Sequence, residues 1–309
     1  MSSAQNLAWG AALQAASALA SNQHYPVGAL YVVATPIGNL ADISLRALHL
    51  LQLADTVACE DTRHTQGMLR VMGINKTGAQ VLALHQHNEA QAAGDVITRL
   101  QQGQRVAYVS DAGTPGVSDP GARLVVAVRQ AGLVIVPLPG ASSVTALVSV
   151  AGAVGGGVDG NGFVFGGFLP TKAVERGLAV QKLALETRCV VLLEAPHRIE
   201  ATAAALAVLG DRPVTVGREL TKQFEEIATL AAGTLAAWFA ADANRLRGEF
   251  VLLLHPSEQA GSGELDMQVL KLLLEELPLK SAVKLAAEIT GQSKNALYEA
   301  ALALKSASY

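Results

Sequence analysis

The stretch Arg105-Val-Ala-Tyr-Val-Ser110-Asp-Ala-Gly-Thr-Pro115-Gly-Val-Ser-Asp-Pro-Gly121-Ala-Arg-Leu-Val-Val-Ala-Val-Arg-Gln-Ala131-Gly-Leu-Val-Ile-Val-Pro-Leu138 decides the fold. Its first six residues are a short β-branched run that reads as a strand. A loop dense in Asp, Gly and Pro follows, and then Ala122 to Ala131, which has the composition of a helix. Gly132 sits where a helix C-cap falls, and Leu133 to Leu138 is a second strand. Strand, short loop, helix and strand in that order is the unit of a parallel sheet with crossover helices.

The same alternation extends upstream. Leu30 to Ala34, Thr56 to Glu60 and Gln80 to Leu84 read as strands, and Ser44 to Leu53 and Asp95 to Gln102 as helices, the latter with Gly103 at its end. Downstream, the glycine-rich Ala151 to Gly162 cannot be the interior of a stable element and marks a domain boundary. Beyond it lie strands at Phe163 to Phe168, Arg188 to Glu194, Pro213 to Val216, Glu226 to Leu230 and Glu249 to Leu254, with helices at Ile199 to Leu209 and near Thr234 to Ala241. Strands are more often adjacent here, which predicts a mixed sheet. After the linker Pro256 to Gly263, three helices are expected at Leu265 to Leu277, Lys280 to Ile289 and Ser293 to Leu304, with Ser293 as an N-cap. They match a helix-turn-helix outline and equally a plain three-helix packing element. The fold class is α/β, and the divisions are 1–29 as an N-terminal extension, 30–152 and 160–256 as α/β domains, and 264–309 as a helical module.

Composition agrees. The chain has 309 residues, 50% hydrophobic and 16% charged, too apolar for a disordered protein. A net charge of −3 argues against a sheath of basic surface, though not against a local basic patch. Cys59 and Cys189 are far apart in sequence and form no metal-ligand spacing, so they read as buried thiols in a reducing compartment. No membrane span is expected. The alanine-rich start, Ala4 to Ala20, resembles a signal h-region but lacks a positive n-region, because the first basic residue is Arg46. It reads as an exposed extension with helical potential, and the protein as cytoplasmic.

Ligands of open α/β sheets bind at the carboxyl ends of strands. The loop Ala34-Thr-Pro-Ile-Gly-Asn-Leu-Ala-Asp42 is therefore well placed, yet it is neither GxGxxG nor GxxxxGK[ST], which disfavours a dinucleotide site and excludes a P-loop. The loop 110–121 is either a ligand-shaping segment or an ordinary N-capping loop, and Pro137-Leu-Pro-Gly-Ala-Ser-Ser143 is a second rigid loop ending in hydroxyls. Gly140-Ala-Ser-Ser-Val144 lacks the second glycine of a nucleophile elbow.

These segments combine with Glu60-Asp-Thr-Arg-His64, Glu194-Ala-Pro-His-Arg198, Arg218-Glu-Leu-Thr-Lys222 and Gly248-Glu249. Seven motifs in this order resemble the ribosomal RNA small-subunit methyltransferase I family of the tetrapyrrole-methylase superfamily. The resemblance runs from about Leu30 to the C-terminus, including Leu277-Pro-Leu-Lys280 and Lys294-Asn-Ala-Leu-Tyr298. It implies two α/β domains with a cleft between them, and a homodimer. It also implies S-adenosylmethionine-dependent 2′-O-methylation of a cytidine in the 16S rRNA decoding centre of the small ribosomal subunit. By the same resemblance the cofactor is held by Pro36, Ile37 and Gly38, by Gly113, Thr114, Pro115 and Val117, and by Ser142 and Ser143. Leu193, Leu220 and Glu249 match contact positions of the second domain. Thr114 departs from the superfamily's aspartate, and Asp111 is the candidate to replace that acid.

For catalysis, His64 or Asp61 is placed to accept the ribose proton and Arg63 to pair with a phosphate; the alternative is helix capping with His64 a bystander. His87, Lys172, Lys284 and Lys294 are candidate RNA contacts. His85 and His87 lack a third ligand for a metal. Lys280, Lys284, Lys294 and Lys305 against Glu288 and Glu299 leave a local excess of two positive charges, too few to hold RNA alone at physiological salt. The competing readings are a tetrapyrrole methyltransferase of the same fold and a non-enzymatic RNA-binding assembly factor.

Overall fold

The computed structural model describes residues 3–85, 88–118, 121–153, 162–257 and 261–306. Contacts group the chain into two units. One comprises Met1–Ala151, Val216–Ala228 and Arg247–Val251, and the other Gly152–Thr215, Thr229–Leu246 and Leu252–Tyr309.

The first unit is built on strands β1 (Ala29–Val33), β2 (Thr56–Cys59), β3 (Val81–Ala83), β4 (Val106–Val109) and β5 (Val134–Leu138), in the order β3-β2-β4-β1-β5. Every pairing among them is parallel, with Val33 of β1 opposite Val109 of β4 and Leu138 of β5. Period-two alternation divides the side chains between two faces. Tyr31, Val33, Val57, Cys59, Ala107 and Val109 enter one core, and Leu30, Ala58, Val106 and Tyr108 enter the other.

Helices α1 (Ser3–Ala20), α2 (Leu45–Leu53) and α3 (Thr62–Val71) cover the first face. Helices α4 (Glu89–Gln101) and α5 (Ala122–Gln130) cover the second. Helix α6 (Ser143–Val150) follows β5. Gly103 and Gly132 follow their helices at φ +82° and +71°, the left-handed exit that glycine makes without a Cβ clash. Ser44 caps α2 by accepting from the Ala47 amide. The helical potential of Ala4 to Ala20 is realised in α1, whose side chains from Leu7 onward are mostly exposed but packed along one face. Ala16 is fully buried, and Trp9, Ala12 and Leu13 pack against the core cluster to which α2 contributes, so one face of the helix is held on the first unit.

Neighbouring strands β1 and β4 send their chains to opposite faces, to α2 and to α5. That divergence opens a crevice at their carboxyl ends, the usual ligand position in an open parallel sheet.

The second sheet contains β6 (Phe163–Phe168), β7 (Cys189–Glu194), β8 (Pro213–Arg218), β9 (Glu226–Ala231) and β10 (Phe250–Leu254), in the order β6-β7-β10-β8-β9. Strands β6 and β7 are parallel and joined through α7 (Ala173–Ala184). The Glu219 amide donates to the Glu249 carbonyl and the His255 amide to the Pro213 carbonyl, so β8 and β10 run antiparallel and the sheet is mixed. The motif ending β7 is structural: the buried Glu194 carboxylate accepts from the Ala195 amide at 2.9 Å and the Thr202 hydroxyl at 2.5 Å, and lies 3.2 Å from Arg198. α8 (Ile199–Leu206) and α9 (Leu235–Ala240) complete this layer.

The last three helices are α10 (Gly261–Glu276), α11 (Leu279–Thr290) and α12 (Lys294–Ser306). Gly291 ends α11 at φ +73°, and the Ser293 hydroxyl accepts from the Ala296 amide, the predicted cap. Leu270, Val283, Ala286, Leu297 and Ala301 form a cluster drawn from these three helices.

Candidate functional site

At the crevice, the loop after β1 and the loop after β4 are joined backbone to backbone. The Thr35 amide donates to the Gly113 carbonyl at 2.9 Å and the Gly113 amide returns to the Thr35 carbonyl at 3.0 Å. The buried Thr35 hydroxyl donates to the Ser110 carbonyl at 3.1 Å, and the Ser110 hydroxyl lies 3.2 Å from the Gly113 carbonyl. The Thr114 hydroxyl reaches the Ala141 carbonyl at 3.1 Å and so ties in the loop after β5.

Glycine is required where these loops meet. Gly113 has φ +80°, and a Cβ there would stand 3.3 Å from Ile37 Cγ2. A Cβ on Gly140 would stand 3.0 Å from the Ala34 Cβ. The Ser142 residue holds the cap position of α6 with extended backbone, and its side chain makes no capping bond.

The loop after β2 enters through Asp111, whose carboxylate accepts from the Asp61 amide at 3.3 Å. The Asp61 carboxylate in turn accepts from the Arg63 amide at 2.7 Å and the His64 amide at 3.1 Å, capping α3. Those bonds from His64 and Arg63 hold its pKa below the ordinary aspartate value. This is capping geometry, the arrangement of a fixed anion at a helix N-terminus. His64 and Arg63 are exposed in the first turn of α3. Beneath them, burial pushes the Cys59 thiol up to about 11, so this cysteine is an inert core group.

A further wall comes from far along the chain. The segments 216–228 and 247–251, which the sequence division assigns to the second domain, belong by contacts to the first unit. They carry Leu220 and Glu249. Leu220 is buried beside Gly217 and Leu147. The Lys222 ammonium donates to Glu219 at 2.8 Å and to Glu249 at 3.0 Å. Burial opposes charge on both Glu219 and Lys222, yet their mutual bond, together with Glu249, outweighs it. Glu219 is held below the ordinary glutamate value and Lys222 above the ordinary lysine value. The Thr221 hydroxyl accepts from the Asn39 amide at 3.1 Å.

The first unit thus holds Pro36, Ile37, Gly38, Asp61, Arg63, His64, Asp111, Gly113, Thr114, Pro115, Val117, Ser142, Ser143, Leu220 and Glu249. Leu193, half-buried on β7, belongs to the other unit, as do Lys172, Lys284 and Lys294. Lys172 pairs with Glu175 at 3.0 Å, and Lys284 and Lys294 are exposed. His87 lies outside the described residues. Thr35, Asn39, Thr221 and Lys222 lie in the motifs 34–42 and 218–222, but residue type alone assigns them no individual role.

These loops suit S-adenosylmethionine. The segments 34–42, 110–121 and 137–143 contain no lysine or arginine, so nothing in them repels a sulfonium. Backbone groups, hydroxyls and the Asp111 carboxylate supply polar partners, and glycine at 113 and 140 lets the loops approach where a Cβ would press on Ile37 or Ala34.

Comparison with known proteins agrees with this geometry. Residues 29–236 match the family model for tetrapyrrole (corrin/porphyrin) methylases, and residues 259–305 match the model for the RsmI C-terminal HTH domain. The chain is 46% identical over 282 residues to ribosomal RNA small subunit methyltransferase I of Neisseria meningitidis serogroup B, covering 90% of this chain and 94% of that one. Against its counterpart from Escherichia coli O157:H7 it is 46% identical over 279 residues, covering 89% and 95%. Among solved structures, a cobalt precorrin-4 methyltransferase aligns with a TM-score of 0.53 at 22% identity, covering 75% of this chain and 98% of that one. Diphthine synthase also aligns, with a TM-score of 0.53 at 16% identity over 74% and 90%; at these identities the likeness is one of fold. The chain belongs to the tetrapyrrole methylase family and, within it, to the ribosomal RNA small subunit methyltransferase I group.

Proposed function

We propose that this S-adenosylmethionine-dependent rRNA methyltransferase methylates the ribose 2′-hydroxyl of a cytidine in the 16S rRNA decoding centre, acting on the small ribosomal subunit in the cytoplasm as a homodimer. The observation that carries the reading is the three-loop cradle, free of cationic side chains, in a chain that also has an HTH module. The names of its relatives supply the substrate class.

When bound, S-adenosylmethionine supplies an already activated methyl group. The task left to the chain is to orient the 2′-oxygen in line with that methyl and to receive a proton that leaves late. His64 is the proposed acceptor, since it is exposed in the first turn of α3, next to the Asp61 cap that Asp111 contacts. Asp61 keeps its cap and orients the turn that carries His64. Arg63, Lys172, Lys284 and Lys294, together with His87, are assigned to RNA phosphate and base contacts. Pro36, Ile37, Gly38, Asp111, Gly113 to Pro115, Val117, Ser142, Ser143, Leu193, Leu220 and Glu249 are assigned to the cofactor.

A net charge of −3 leaves little counterion-release energy for naked RNA, so shape recognition of an assembled particle is expected to supply the remaining contacts. The test is methylation of purified 30S subunits and of protein-free 16S rRNA in physiological salt, followed by nucleoside mass spectrometry. The reading expects 2′-O-methylcytidine from the particle. A base-methylated product, or efficient modification of naked RNA, overturns the corresponding part.

A further inference from the structure

The turn after β8 is held in a conformation that its residues do not favour. Among the described residues, Glu219 and Thr221 are the non-glycine positions with positive φ, 51° and 67°. Thr221 is β-branched, the kind of side chain for which left-handed backbone is a true outlier. Such strain persists only where the surroundings over-determine it, and here they do. The Glu219 carboxylate accepts from the Glu249 amide at 2.9 Å as well as from Lys222, and the Thr221 amide donates to Glu225 at 2.6 Å. Gly248, at φ +92°, must lack a side chain, because a Cβ there would lie 2.4 Å from Glu219 Cγ.

A turn that merely joined β8 to β9 would be served at lower strain by glycine at 221. What this conformation adds is contact with the first loop. The Thr221 hydroxyl meets the Asn39 amide, and the Lys222 stem runs so near Gly38 that a Cβ there would lie 2.4 Å from Lys222 Cγ.

We propose that Thr221 is a positioning residue for the cofactor loop: its left-handed backbone aims the hydroxyl at the Asn39 amide and fixes Pro36-Ile37-Gly38 in place, with the Lys222 stem as a backstop. The proposal rests on the reading that this loop holds S-adenosylmethionine. It is tested with Thr221→Ser, Thr221→Ala and Thr221→Gly in the full chain. Calorimetric titration with S-adenosylmethionine is paired with the thermal midpoint of each ligand-free protein.

The serine variant retains the hydroxyl and binds as the wild type does. The alanine and glycine variants lose one hydrogen bond and bind about fivefold more weakly, while the glycine variant, relieved of strain, melts no lower than the wild type. That separation of affinity from stability is what a purely structural turn does not produce. Wild-type affinity in both the alanine and glycine variants, or a serine variant as weak as they are, overturns the clamp and leaves the cofactor reading standing. A wild-type protein that takes up no S-adenosylmethionine overturns the cofactor reading, and the clamp with it.

Discussion

Thr35 and Gly113 exchange both of their backbone hydrogen bonds, at 2.9 and 3.0 Å, although they follow different strands. The pair is an isolated two-residue bridge between loops that leave toward opposite faces of the sheet. Gly113 at φ +80° makes it possible. Gly113→Ala forces an alanine into left-handed backbone and against Ile37, at a cost of about 1–2 kcal/mol. Urea unfolding reads that loss, and S-adenosylmethionine affinity is expected to fall about tenfold with it.

The geometry of Asp61 separates capping from base catalysis. Asparagine caps a helix about as well as aspartate does, whereas loss of a true general base costs roughly 10²–10⁴ in rate. Asp61→Asn is expected to keep its methylation rate within about threefold, and Asp61→Ala to lower helicity and rate together. A collapse in the asparagine variant would make Asp61 the base. His64→Ala is the complementary case, with methylation expected to fall while cofactor affinity holds.

The Glu219–Lys222 pair sets a pH window. Glu219 is depressed below 4.5, so its stabilising contribution is complete above that value and is lost as pH falls through the folded pKa. Lys222 is raised above 10.5, so its contribution is present below that value and is lost only as pH rises through its folded pKa. Stability of the turn should be level between these limits. Glu219→Gln should flatten the acid limb of a stability-against-pH curve, and an unchanged limb would remove the pair from this role.

The C-terminal helices offer a separable test. Leu270 is fully buried in a cluster shared with Val283, Ala286, Leu297 and Ala301, so Leu270→Ala is expected to cost about 2–5 kcal/mol. Hydrogen exchange should report that loss in α10–α12 while the amides of β1, β2 and β4 stay protected. A chain ending before Gly261 is expected to bind S-adenosylmethionine and to lose RNA capture. Aggregation or loss of cofactor binding would show instead that the three helices are needed by the rest of the fold.

Much of this architecture is legible in single residues. β-branched runs mark the strands, Gly103 and Gly132 mark helix ends, and Ser293 marks a helix start, because each signal lies within a few residues of its effect. Helix α3 is harder to read, since Thr62-Arg-His-Thr-Gln-Gly67 combines poor helix formers with an interior glycine and relies on the Asp61 cap and the buried Thr65, Met68 and Leu69. Helix α1 read as exposed because its pattern of alanines does not reveal which face meets α2. The grouping of 216–228 with the first loop is illegible for a different reason: Asn39 and Thr221 are 182 residues apart, and their bond leaves no local periodicity. The motif resemblance located that segment, and the Asn39–Thr221 bond shows what it touches.

The interleaved chain has a consequence for the order in which the molecule is made. The five-stranded sheet is complete once Leu138 has been synthesised, yet the unit that contains it also includes residues up to Val251. At about 5–20 residues per second, translation reaches Val251 several seconds after it has passed Leu138. During that interval the nascent chain has the strands of its first sheet but no Thr221 hydroxyl for Asn39 and no Lys222 stem beside Gly38. On the proposed clamp, full affinity for the methyl donor is completed late in translation, after the scaffold that displays it.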